Sequence, residues 1–329
     1  MKPKAFKWSI AQKQKNVNKG TQKTKREETF RFFRLFLVIS FAFAAHNRID
    51  SKEVDEKRNE RGPFENALNM KLKRIVGSFL ATLTVCLFLQ GQPIFAEEDT
   101  TPYNWYFKKN DSHEQPPLDS CLEFIKKQDG YYLDEGCKEK VIYLTFDAGY
   151  ENGNIARILD ALERHDAPAA FFVLENLIKR NPELVKRMTA EGHLVCNHTA
   201  RHPDMSAITD KALFQKQLTA LEKCMEEVIG STVAPFYRPP QGRFTEQNLH
   251  FAKEMGYKTV FWSYAYADWD NARQPDPKWA MEQILAHTHP GMVILLHPTS
   301  KTNADIMDEL LSAWEGEGYR FAPLTELTA

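Results

Sequence analysis

The chain has 329 residues, of which 43 are Lys or Arg and 44 are Asp or Glu, so its formal net charge at pH 7 is -1. That length allows one large domain or two ordinary ones. The charge is unevenly distributed, because the first 96 residues hold 19 of the basic side chains and only 8 of the acidic ones. The acidic remainder argues against nucleic-acid binding, since it would repel the phosphate backbone.

The segment 70–96 has the pattern of a Sec signal peptide. Met70 is followed by three basic side chains within four residues, then by a mostly apolar run, 75–89, and by Ala96 ahead of an acidic stretch. A basic start, a short apolar stretch and a small final residue are typical of a cleavable export signal. We therefore expect cleavage after Ala96 and no stable membrane span in the mature protein. The apolar run is short for a membrane span, and an uncleaved anchor is the alternative.

Residues 1–69 precede this signal. They combine a start rich in Lys, Gln and Asn with a second apolar run, 35–45, and a charged stretch, 51–61, whose composition is typical of disorder. Two export signals in series have no physical use. We interpret Met70 as the true start and 1–69 as an upstream extension foreign to the native protein, which amino-terminal sequencing of the precursor would test.

Four cysteines follow the predicted signal. Cys121 and Cys137 flank a short polar segment, and in an oxidising compartment either a disulfide or two free thiols would fit that spacing. Cys196 lies in a predicted strand, where we expect a small core residue.

The predicted elements begin with a polar lead segment, 97–140, whose aromatic clusters 104–107 and 131–133 should pin it to the main domain. From residue 141 onward, apolar β-type runs alternate with helical patterns, several of which end at a glycine (Gly192, Gly230, Gly256 and Gly318). The predicted strands are 141–147, 169–174, 193–198, 235–238, 258–263, 292–297 and 319–324, and the predicted helices are 153–164, 176–190, 209–229, 245–255, 277–288 and 303–317.

Alternation of strand and helix predicts parallel strands joined by right-handed crossovers. About seven such units within residues 141–329 favour a closed or nearly closed (β/α) barrel, with a doubly wound open sheet as the alternative. The sequence has no glycine-rich phosphate loop, so it indicates no nucleotide cofactor. We expect 141–329 to be the catalytic domain, with 97–140 packed on it.

Ionisable residues end the predicted strands. Asp147 ends the first strand, at the rim where parallel-strand enzymes place catalytic groups, although a lone acid there more often caps a turn. His198 and His202 follow the third strand at i and i+4, a spacing that can ligate a divalent metal if one helical turn follows. A pair of surface or capping histidines is the alternative for that spacing taken alone.

The later strands add a cation, a second acid and a third imidazole. Arg238 precedes two prolines and is aimed at the same rim, where it would hold Asp147 ionised; Gly242 would let the backbone approach a ligand closely. Asp268 is a candidate to orient Arg238 or a histidine, and His297 is a natural general acid. Trp269 would wall a sugar site or lie in the core, while His287 and His289 precede their strand and are left out.

Five of these segments, in this order, resemble the motifs of the polysaccharide deacetylases, carbohydrate esterase family four with its NodB-homology domain. The resemblance covers about residues 140–325. Further segments are similar to the peptidoglycan N-acetylmuramic acid deacetylases of endospore formers, which prepare muramic δ-lactam in spore cortex. The family motifs are 145–147, 198–202, 238–242, 268–269 and 296–297, and the subgroup segments are 104–105, 115–117, 149–153 and 261–263.

The resemblance implies a distorted (β/α)7 barrel, a divalent metal that is usually zinc, and roles for the matching residues. Asp147 would be the general base acting on metal-bound water, with His198 and His202 as metal ligands. A backbone N–H near Gln241 would donate to the oxyanion, and His297 would protonate the departing amine. The remaining roles are tuning of base and acid by Arg238 and Asp268, and substrate contact by Tyr150, Gln241, Gly242, Trp269 and Leu296, the last lining the slot for the acetyl methyl group.

One residue departs from the family pattern. Where the family usually has a second acid as third protein ligand to the metal, this chain has Ala148, which cannot ligate. The metal would then be held by two histidines and waters, more weakly than in a three-ligand site. The muramic-acid subgroup also tends to replace that acid.

The resemblance predicts a secreted hydrolase of a linear amide that removes the acetyl group from N-acetylmuramic acid in the peptidoglycan glycan strand. It would act as a monomer in the cell wall or the forespore intermembrane space. One alternative is deacetylation of N-acetylglucosamine, chitin or xylan by the same chemistry. Another is a catalytically silent glycan-binding module, which Ala148 makes conceivable. Asp147, Arg238 and His297 favour an enzyme, because a binding module has no need of a base and an acid facing each other.

Overall fold

The computed structural model describes residues 99–109 and 111–329. The predicted extension, 1–69, and the predicted signal peptide, 70–96, lie outside the described residues. No helix in the described ranges is long and apolar enough to cross a membrane.

The strand predicted at 141–147 forms as Val141–Ala148 and lies inside the main sheet, with nearly every residue buried. A near-continuous apolar run suits a strand that is covered on both faces. The strands are β1 (Tyr103–Asn104), β2 (Gly130–Tyr131), β3 (Val141–Ala148), β4 (Ala169–Val173), β5 (Leu194–Asn197), β6 (Ala234–Tyr237), β7 (Arg243–Phe244), β8 (Lys258–Val260), β9 (Tyr264–Ala265), β10 (Met292–Leu296) and β11 (Arg320–Phe321).

The main sheet has the order β2-β8-β6-β5-β4-β3-β10-β9, with β11 beside the start of β3, and its neighbouring strands are parallel. Leu133, just after β2, forms a β-bridge to Met292 of β10, which connects the β2 end of the sheet with the end formed by β10 and β9. The prediction of a distorted (β/α) barrel is confirmed, and the open doubly wound alternative is not needed.

Helices cover the outer face of the sheet, and most of the predicted ones form. Side-chain caps fix several starts: Asp210, Asp276 and Ser300 each accept a hydrogen bond from a backbone N–H in the first turn. The α-helices are α1 (Phe124–Lys127), α2 (Ile155–Arg164), α3 (Glu175–Arg180), α4 (Pro182–Ala190), α5 (Lys211–Ile229), α6 (Glu246–Glu254), α7 (Pro277–Ala286), α8 (Lys301–Gly316) and α9 (Leu324–Leu327).

Two predicted elements do not run through their predicted ranges without a break. The helix predicted at 176–190 is two helices, because Pro182 starts α4 and forces Asn181 out of the helical region, at φ -134° and ψ 53°. The strand predicted at 258–263 ends early: β8 covers Lys258–Val260, residues 261–263 are not in a strand, and β9 (Tyr264–Ala265) begins after the predicted range. Between them the chain leaves the neighbours of β8 and joins β10 instead.

The lead segment is attached to the barrel at several places. β1 pairs antiparallel with β7, and β2 pairs with β8. Cys121 and Cys137 are free thiols, so of the two alternatives for this pair the structure has the unpaired one. Their sulfurs have different neighbours, since Cys121 Sγ lies 4.0 Å from the Tyr106 hydroxyl and Cys137 Sγ lies 3.7 Å from the Glu139 carbonyl oxygen.

Candidate active site

A cavity of about 680 Å³ opens at the carboxyl ends of the barrel strands. Polar side chains that are far apart in the sequence meet there because parallel strands bring their carboxyl ends to one rim. Asp147 comes from β3, while His198 and His297 directly follow β5 and β10. The lining residues are Asp147, Gly149, Tyr150, Leu174, His198, His202, Gln241, Gly242, Trp262, Ala265, Tyr266, Trp269, Leu295, His297 and Thr299.

Asp147 is paired with a fully buried cation. Arg238 Nη1 donates to Asp147 Oδ1 at 2.9 Å. Burial by itself would raise the pKa of Asp147, but the positive charges around it, His198 when protonated and Arg238, outweigh burial and lower the pKa. His198 is uncharged near neutral pH, so Arg238 is the permanent cation that keeps Asp147 ionised.

Arg238 itself is immobilised by hydrogen bonds from each of its other nitrogens. Nε donates to the Val260 carbonyl oxygen at 2.9 Å, and Nη2 donates to Thr145 Oγ1 at 2.9 Å and to the Phe261 carbonyl oxygen at 3.1 Å. Its guanidinium carbon also lies 4.2 Å from the centre of the Phe172 ring. A buried guanidinium with satisfied donors is a fixed charge, so it orients Asp147 as well as neutralising it.

His198 and His202 lie side by side at the cavity wall, with ring centres 5.0 Å apart. The predicted helical turn between them does not form. Thr199 and His202 adopt left-handed backbone angles instead, with φ 74° and 57°. The Thr199 hydroxyl accepts a hydrogen bond from the His202 backbone N–H at 3.0 Å, which holds this strained turn.

The tautomer of His198 bears on metal binding. Its Nδ1 lies 2.9 Å from the Arg238 carbonyl oxygen and therefore carries the proton, which leaves the Nε2 lone pair facing Asp147 Oδ2 at 3.4 Å. Burial lowers the pKa of His198 to about 4. Two acceptor atoms that face each other at this distance need a cation between or beside them, and an imidazole fixed through Nδ1 is the usual form of a metal-ligating histidine. The pair His198 and His202 thus fits a divalent metal.

Within the described ranges, no group of three or more His, Cys, Asp or Glu side chains is arranged to hold a metal. Ala148, at the position of the usual third ligand, is fully buried and packs in the core between the sheet and the helices. The candidate metal site is therefore a pair of imidazoles open to the cavity.

His297 is held by Asp268. Asp268 Oδ1 accepts from His297 Nδ1 at 2.7 Å, and Oδ2 accepts from the His297 backbone N–H at 2.7 Å and from Asn303 Nδ2 at 2.6 Å. Burial lowers the pKa of His297, but the charge and hydrogen bond of Asp268, together with the charge of Asp147, outweigh burial and raise it. Of the two partners that the sequence left open for Asp268, the structure shows the histidine.

The segment after β6 forms a tight turn at the cavity wall. Pro240–Gly242 is a single 3-10 turn in which Gln241 has φ 58° and ψ 9°. Gly242 has φ 64°, and a Cβ there would lie 2.9 Å from the Trp262 ring and 3.0 Å from Trp105 Cβ. Gly242 is closely approached, as predicted, but by Trp262 and Trp105 of the protein itself. A ligand could reach this glycine only from the cavity.

Two aromatic side chains stand at the cavity rim. Tyr150 is 45% exposed and Trp269 is 61% exposed, so both retain free ring faces. The Tyr150 hydroxyl accepts a hydrogen bond from Asn271 Nδ2 at 2.5 Å, which links the loop after β3 to the loop after β9. Trp269 is thus a rim residue, and the alternative of a core tryptophan is wrong.

Leu296 does not line the cavity. It is fully buried in the core beneath the helices, whereas Leu295 reaches the cavity wall. Side chains alternate along a strand, and Leu295 pairs with Thr145 on the inner face while Leu296 pairs with Phe146 on the outer face. Any apolar contact from this strand to a ligand therefore comes from Leu295.

Several residues of the site had no signal in the sequence that would single them out. Thr145 and Asn303 each hold a charged residue of the site through a buried hydrogen bond. Thr145 lies within a motif and could have been noticed, but Asn303 lies in a helix 35 positions after Asp268. Leu174, Trp262, Tyr266 and Thr299 also line the cavity.

Comparison with known proteins agrees with this geometry. The family model for polysaccharide deacetylase matches residues 134–260. An uncharacterised 30.6 kDa protein of Geobacillus stearothermophilus is 41% identical over 69% of this chain and 85% of its own length. Peptidoglycan-N-acetylmuramic acid deacetylase PdaA of Bacillus subtilis is 38% identical over 69% of this chain and 86% of its own length. The chain belongs to the polysaccharide deacetylase family.

Solved structures match as well. That of Bacillus subtilis PdaA, a family 4 carbohydrate esterase, superposes with a TM-score of 0.67 at 38% identity, covering 70% of this chain and 97% of the other. A family 4 carbohydrate esterase from Bacillus anthracis superposes with a TM-score of 0.59 at 36% identity, covering 71% and 99%. The chain is accordingly a hydrolase of amide bonds in a polysaccharide of the peptidoglycan type, in a family that generally depends on a metal.

Proposed function

We propose that this protein removes the acetyl group from N-acetylmuramic acid residues of peptidoglycan, releasing acetate, as a step towards muramic δ-lactam in spore cortex. One arrangement carries the proposal: an ionised carboxylate, Asp147, and a histidine held by its own carboxylate, His297, line the same cavity as a pair of imidazoles. The likeness to PdaA, a muramic acid deacetylase, supports the choice of sugar.

Export through the predicted signal peptide would bring the enzyme to the cell wall or the forespore intermembrane space, where it would act as a monomer on glycan strands.

Asp147 acts as the general base in this proposal. Arg238 holds Oδ1 at 2.9 Å, so Oδ2 is the oxygen that can take a proton from the attacking water. Because Arg238 lowers the pKa of Asp147, the carboxylate is ionised and ready at neutral pH. The same ion pair prevents the carboxylate from rotating away between turnovers.

A divalent metal, usually zinc in this family, would be held by His198 and His202 and would polarise the amide carbonyl and make water more acidic. His198 keeps its Nε2 free for this purpose through the hydrogen bond of Nδ1 to the Arg238 carbonyl. Arg238 therefore supports both parts of the site, since its side chain holds the base, Asp147, and its carbonyl oxygen orients the metal ligand His198.

His297 acts as the general acid. Its Nδ1–H donates to Asp268, so Nε2–H is the proton that is presented to the cavity. The raised pKa favours the protonated imidazole, and its proton passes to the nitrogen that leaves as the amine of the sugar. The oxygen of the attacking water bonds to the carbonyl carbon as Asp147 takes a proton, the C–N bond then breaks, and the acyl group leaves as acetate. Asp147 returns its proton to solvent and His297 regains one.

The rest of the cavity would position the substrate. The Gly242 N–H donates to the Pro239 carbonyl oxygen at 3.0 Å, so the Gln241 N–H in this turn is the one that would donate to the developing oxyanion. Leu295 supplies an apolar contact for the acetyl methyl group. The free faces of Tyr150 and Trp269 are suited to stack on sugar rings, which bind aromatic faces through their C–H groups.

The test is acetate release from purified spore-former peptidoglycan, with and without a chelator, followed by mass spectrometry of the sugar products. Muramic acid without its acetyl group, formed only when zinc is present, supports the proposal. Acetate from chitooligosaccharides alone would move the substrate to N-acetylglucosamine polymers. No acetate from any glycan at saturating zinc, together with measurable glycan binding, would identify a silent glycan-binding module. Substrates with and without stem peptides would show whether the peptide must be removed first.

A further inference from the structure

Trp105 of the lead segment contacts the wall of the cavity. Trp105 directly follows β1 and is 7% exposed, inside a cluster of aromatic and aliphatic side chains that packs β1 and α1 on the barrel. This residue lies outside 134–260, the range matched by the family model. Its contacts nevertheless reach two residues of the cavity wall, Gly242 and Trp262.

The first contact fixes the turn after β6. The Trp105 backbone N–H donates to the Gly242 carbonyl oxygen at 2.7 Å, next to the antiparallel pairing of β1 with β7. Gly242 is confined between Trp105 Cβ and the Trp262 ring, with no room for a side chain of its own. Because Gln241 is a non-glycine residue at φ 58°, the turn needs support from outside to keep this conformation.

The second contact fixes the irregular segment between β8 and β9. Trp105 Nε1 donates to the Trp262 carbonyl oxygen at 2.9 Å, and its ring stacks on Phe261 with centres 4.3 Å apart. The Phe261 carbonyl oxygen accepts from Arg238 Nη2, and the Trp262 ring lies 5.6 Å from the Arg238 guanidinium carbon. Trp105 thus supports the turn through its backbone N–H, and through its indole it supports the segment whose backbone holds Arg238.

We propose that Trp105 is a positioning residue for the deacetylation site and that the lead segment is part of the catalytic structure. The proposal rests on the proposed function, because the turn at Gln241 matters to rate only if its backbone donates to an oxyanion. The backbone N–H of Trp105 holds Gly242, and its indole N–H holds Trp262, so the two together keep the 239–242 turn against the Trp262 ring. Displacement of a catalytic donor by a fraction of an ångström lowers the turnover rate and has little effect on binding of the distant sugar rings.

The experiment compares Trp105→Phe with Tyr132→Phe in the mature protein. Phenylalanine at 105 keeps the backbone N–H to Gly242 and a ring to stack on Phe261, and it loses only the indole donor that holds Trp262 against the turn. The Tyr132 ring lies 5.5 Å from that of Trp105 in the same cluster, and its variant loses a hydrogen bond to the Pro116 carbonyl oxygen without touching the turn. We expect Trp105→Phe to lower kcat for acetate release about tenfold with little change in KM, and Tyr132→Phe to leave kcat unchanged at a similar Tm.

Amide hydrogen exchange of peptides spanning 237–245 gives a second readout that does not depend on activity. Trp105→Phe should speed exchange there, and Tyr132→Phe should not. Wild-type kcat in a folded Trp105→Phe variant with unchanged exchange would overturn the inference. If the variant does not fold, Trp105→Tyr takes its place under the same comparison. An inactive wild-type protein would refute the proposed function, while the exchange data would still decide whether Trp105 holds the turn.

Discussion

Two buried histidines flank the same short strand, and only one of them faces a cavity. His193 directly precedes β5 and His198 directly follows it. Burial lowers the pKa of each to about 4. His193 Nδ1 accepts a hydrogen bond from the Ala169 backbone N–H at 3.2 Å and serves to join strands, whereas His198 faces Asp147 and a second imidazole.

Comparing His193 with His198 shows which feature distinguishes a histidine of the candidate site from a structural one in this barrel. Burial and a low pKa are common to both residues, so neither of these properties separates them. Each also has a carboxylate oxygen near Nε2, with Glu191 Oε2 at 3.8 Å from His193 and Asp147 Oδ2 at 3.4 Å from His198. What separates them is the cavity at the carboxyl ends of the strands, which His198 lines together with Asp147 and His202. The amino end of the barrel uses its polar residues for structure, as His289 does when it hydrogen-bonds to the Ser263 hydroxyl at 3.0 Å.

The largest effect should come from removing the base. Asp147→Asn keeps an acceptor for Arg238 but cannot take a proton, so acetate release should fall about 10³-fold while the far-ultraviolet circular dichroism is retained. The matched control is Asp134→Asn at the opposite end of the barrel, where the carboxylate accepts from the Tyr143 hydroxyl at 3.1 Å. A fully active Asp147→Asn variant would remove the base from the proposal.

Substituting His198 and His193 in turn tests directly whether only the histidine at the cavity is needed for activity. His198→Gln should lose zinc in calorimetric titration and release acetate about 100-fold more slowly, equivalent to about 3 kcal/mol of transition-state stabilisation. His193→Leu should keep its turnover rate and zinc affinity. It should lower the free energy of unfolding in urea by about 1–3 kcal/mol, because the Ala169 N–H loses its acceptor. The comparison fails if both variants lose activity to the same degree.

A change in pH dependence should follow from Asp268→Asn. Burial lowers the pKa of His297, and the charge and hydrogen bond of Asp268 raise it, so the variant should have a lower His297 pKa. A general acid must be protonated to act, and the alkaline limb of the kcat/KM profile should therefore move to lower pH. The rate at pH 7 should fall about tenfold. An alkaline limb at the wild-type position would mean that another group donates the proton.

The smallest effect should come from the cavity rim. Tyr150→Phe keeps the aromatic face and removes the hydroxyl that accepts from Asn271. We expect KM to rise about threefold with kcat unchanged, the size of one exposed hydrogen bond. Asn271→Ala should give a similar change, and the double variant should add little. Additive effects would show that the two side chains act on the glycan separately.

Much of the fold followed from local patterns. The run at 141–147 predicted a buried strand because its apolar residues are contiguous, and the helices at 209–229 and 245–255 were predicted from their spacing and their terminal glycines. The failures came where partners override local preference. The strand at 258–263 breaks because the carbonyl groups of Phe261 and Trp262 turn towards donors of Arg238 and Trp105, and neither donor is visible in the local sequence.

The predicted site residues end a strand or lie in the loop that follows one. For this reason the sequence pattern could place one group of residues together at one end of the barrel: Asp147, His198, His202, Arg238 and His297. The one misplaced residue, Leu296, shows the limit. Its strand was predicted correctly, but the face on which it lies depends on register with β3. A shift of one residue exchanges the two faces of a strand, and only the paired strands define which leucine meets the cavity.

Local sequence patterns predicted the alternation of the longer strands and helices from residue 141 onward and the ionisable groups at the strand ends, because these are properties of neighbouring residues. The family motif marked Ala148 as the missing ligand, whereas the short strands β1, β2 and β7 were not predicted. The tertiary structure decided which groups support the residues of the site. Asn303 holds Asp268 and Trp105 holds the turn at Gly242. Such contacts join residues that are far apart in the chain, and they form only when packing removes the alternatives that solvent offers to each donor and acceptor.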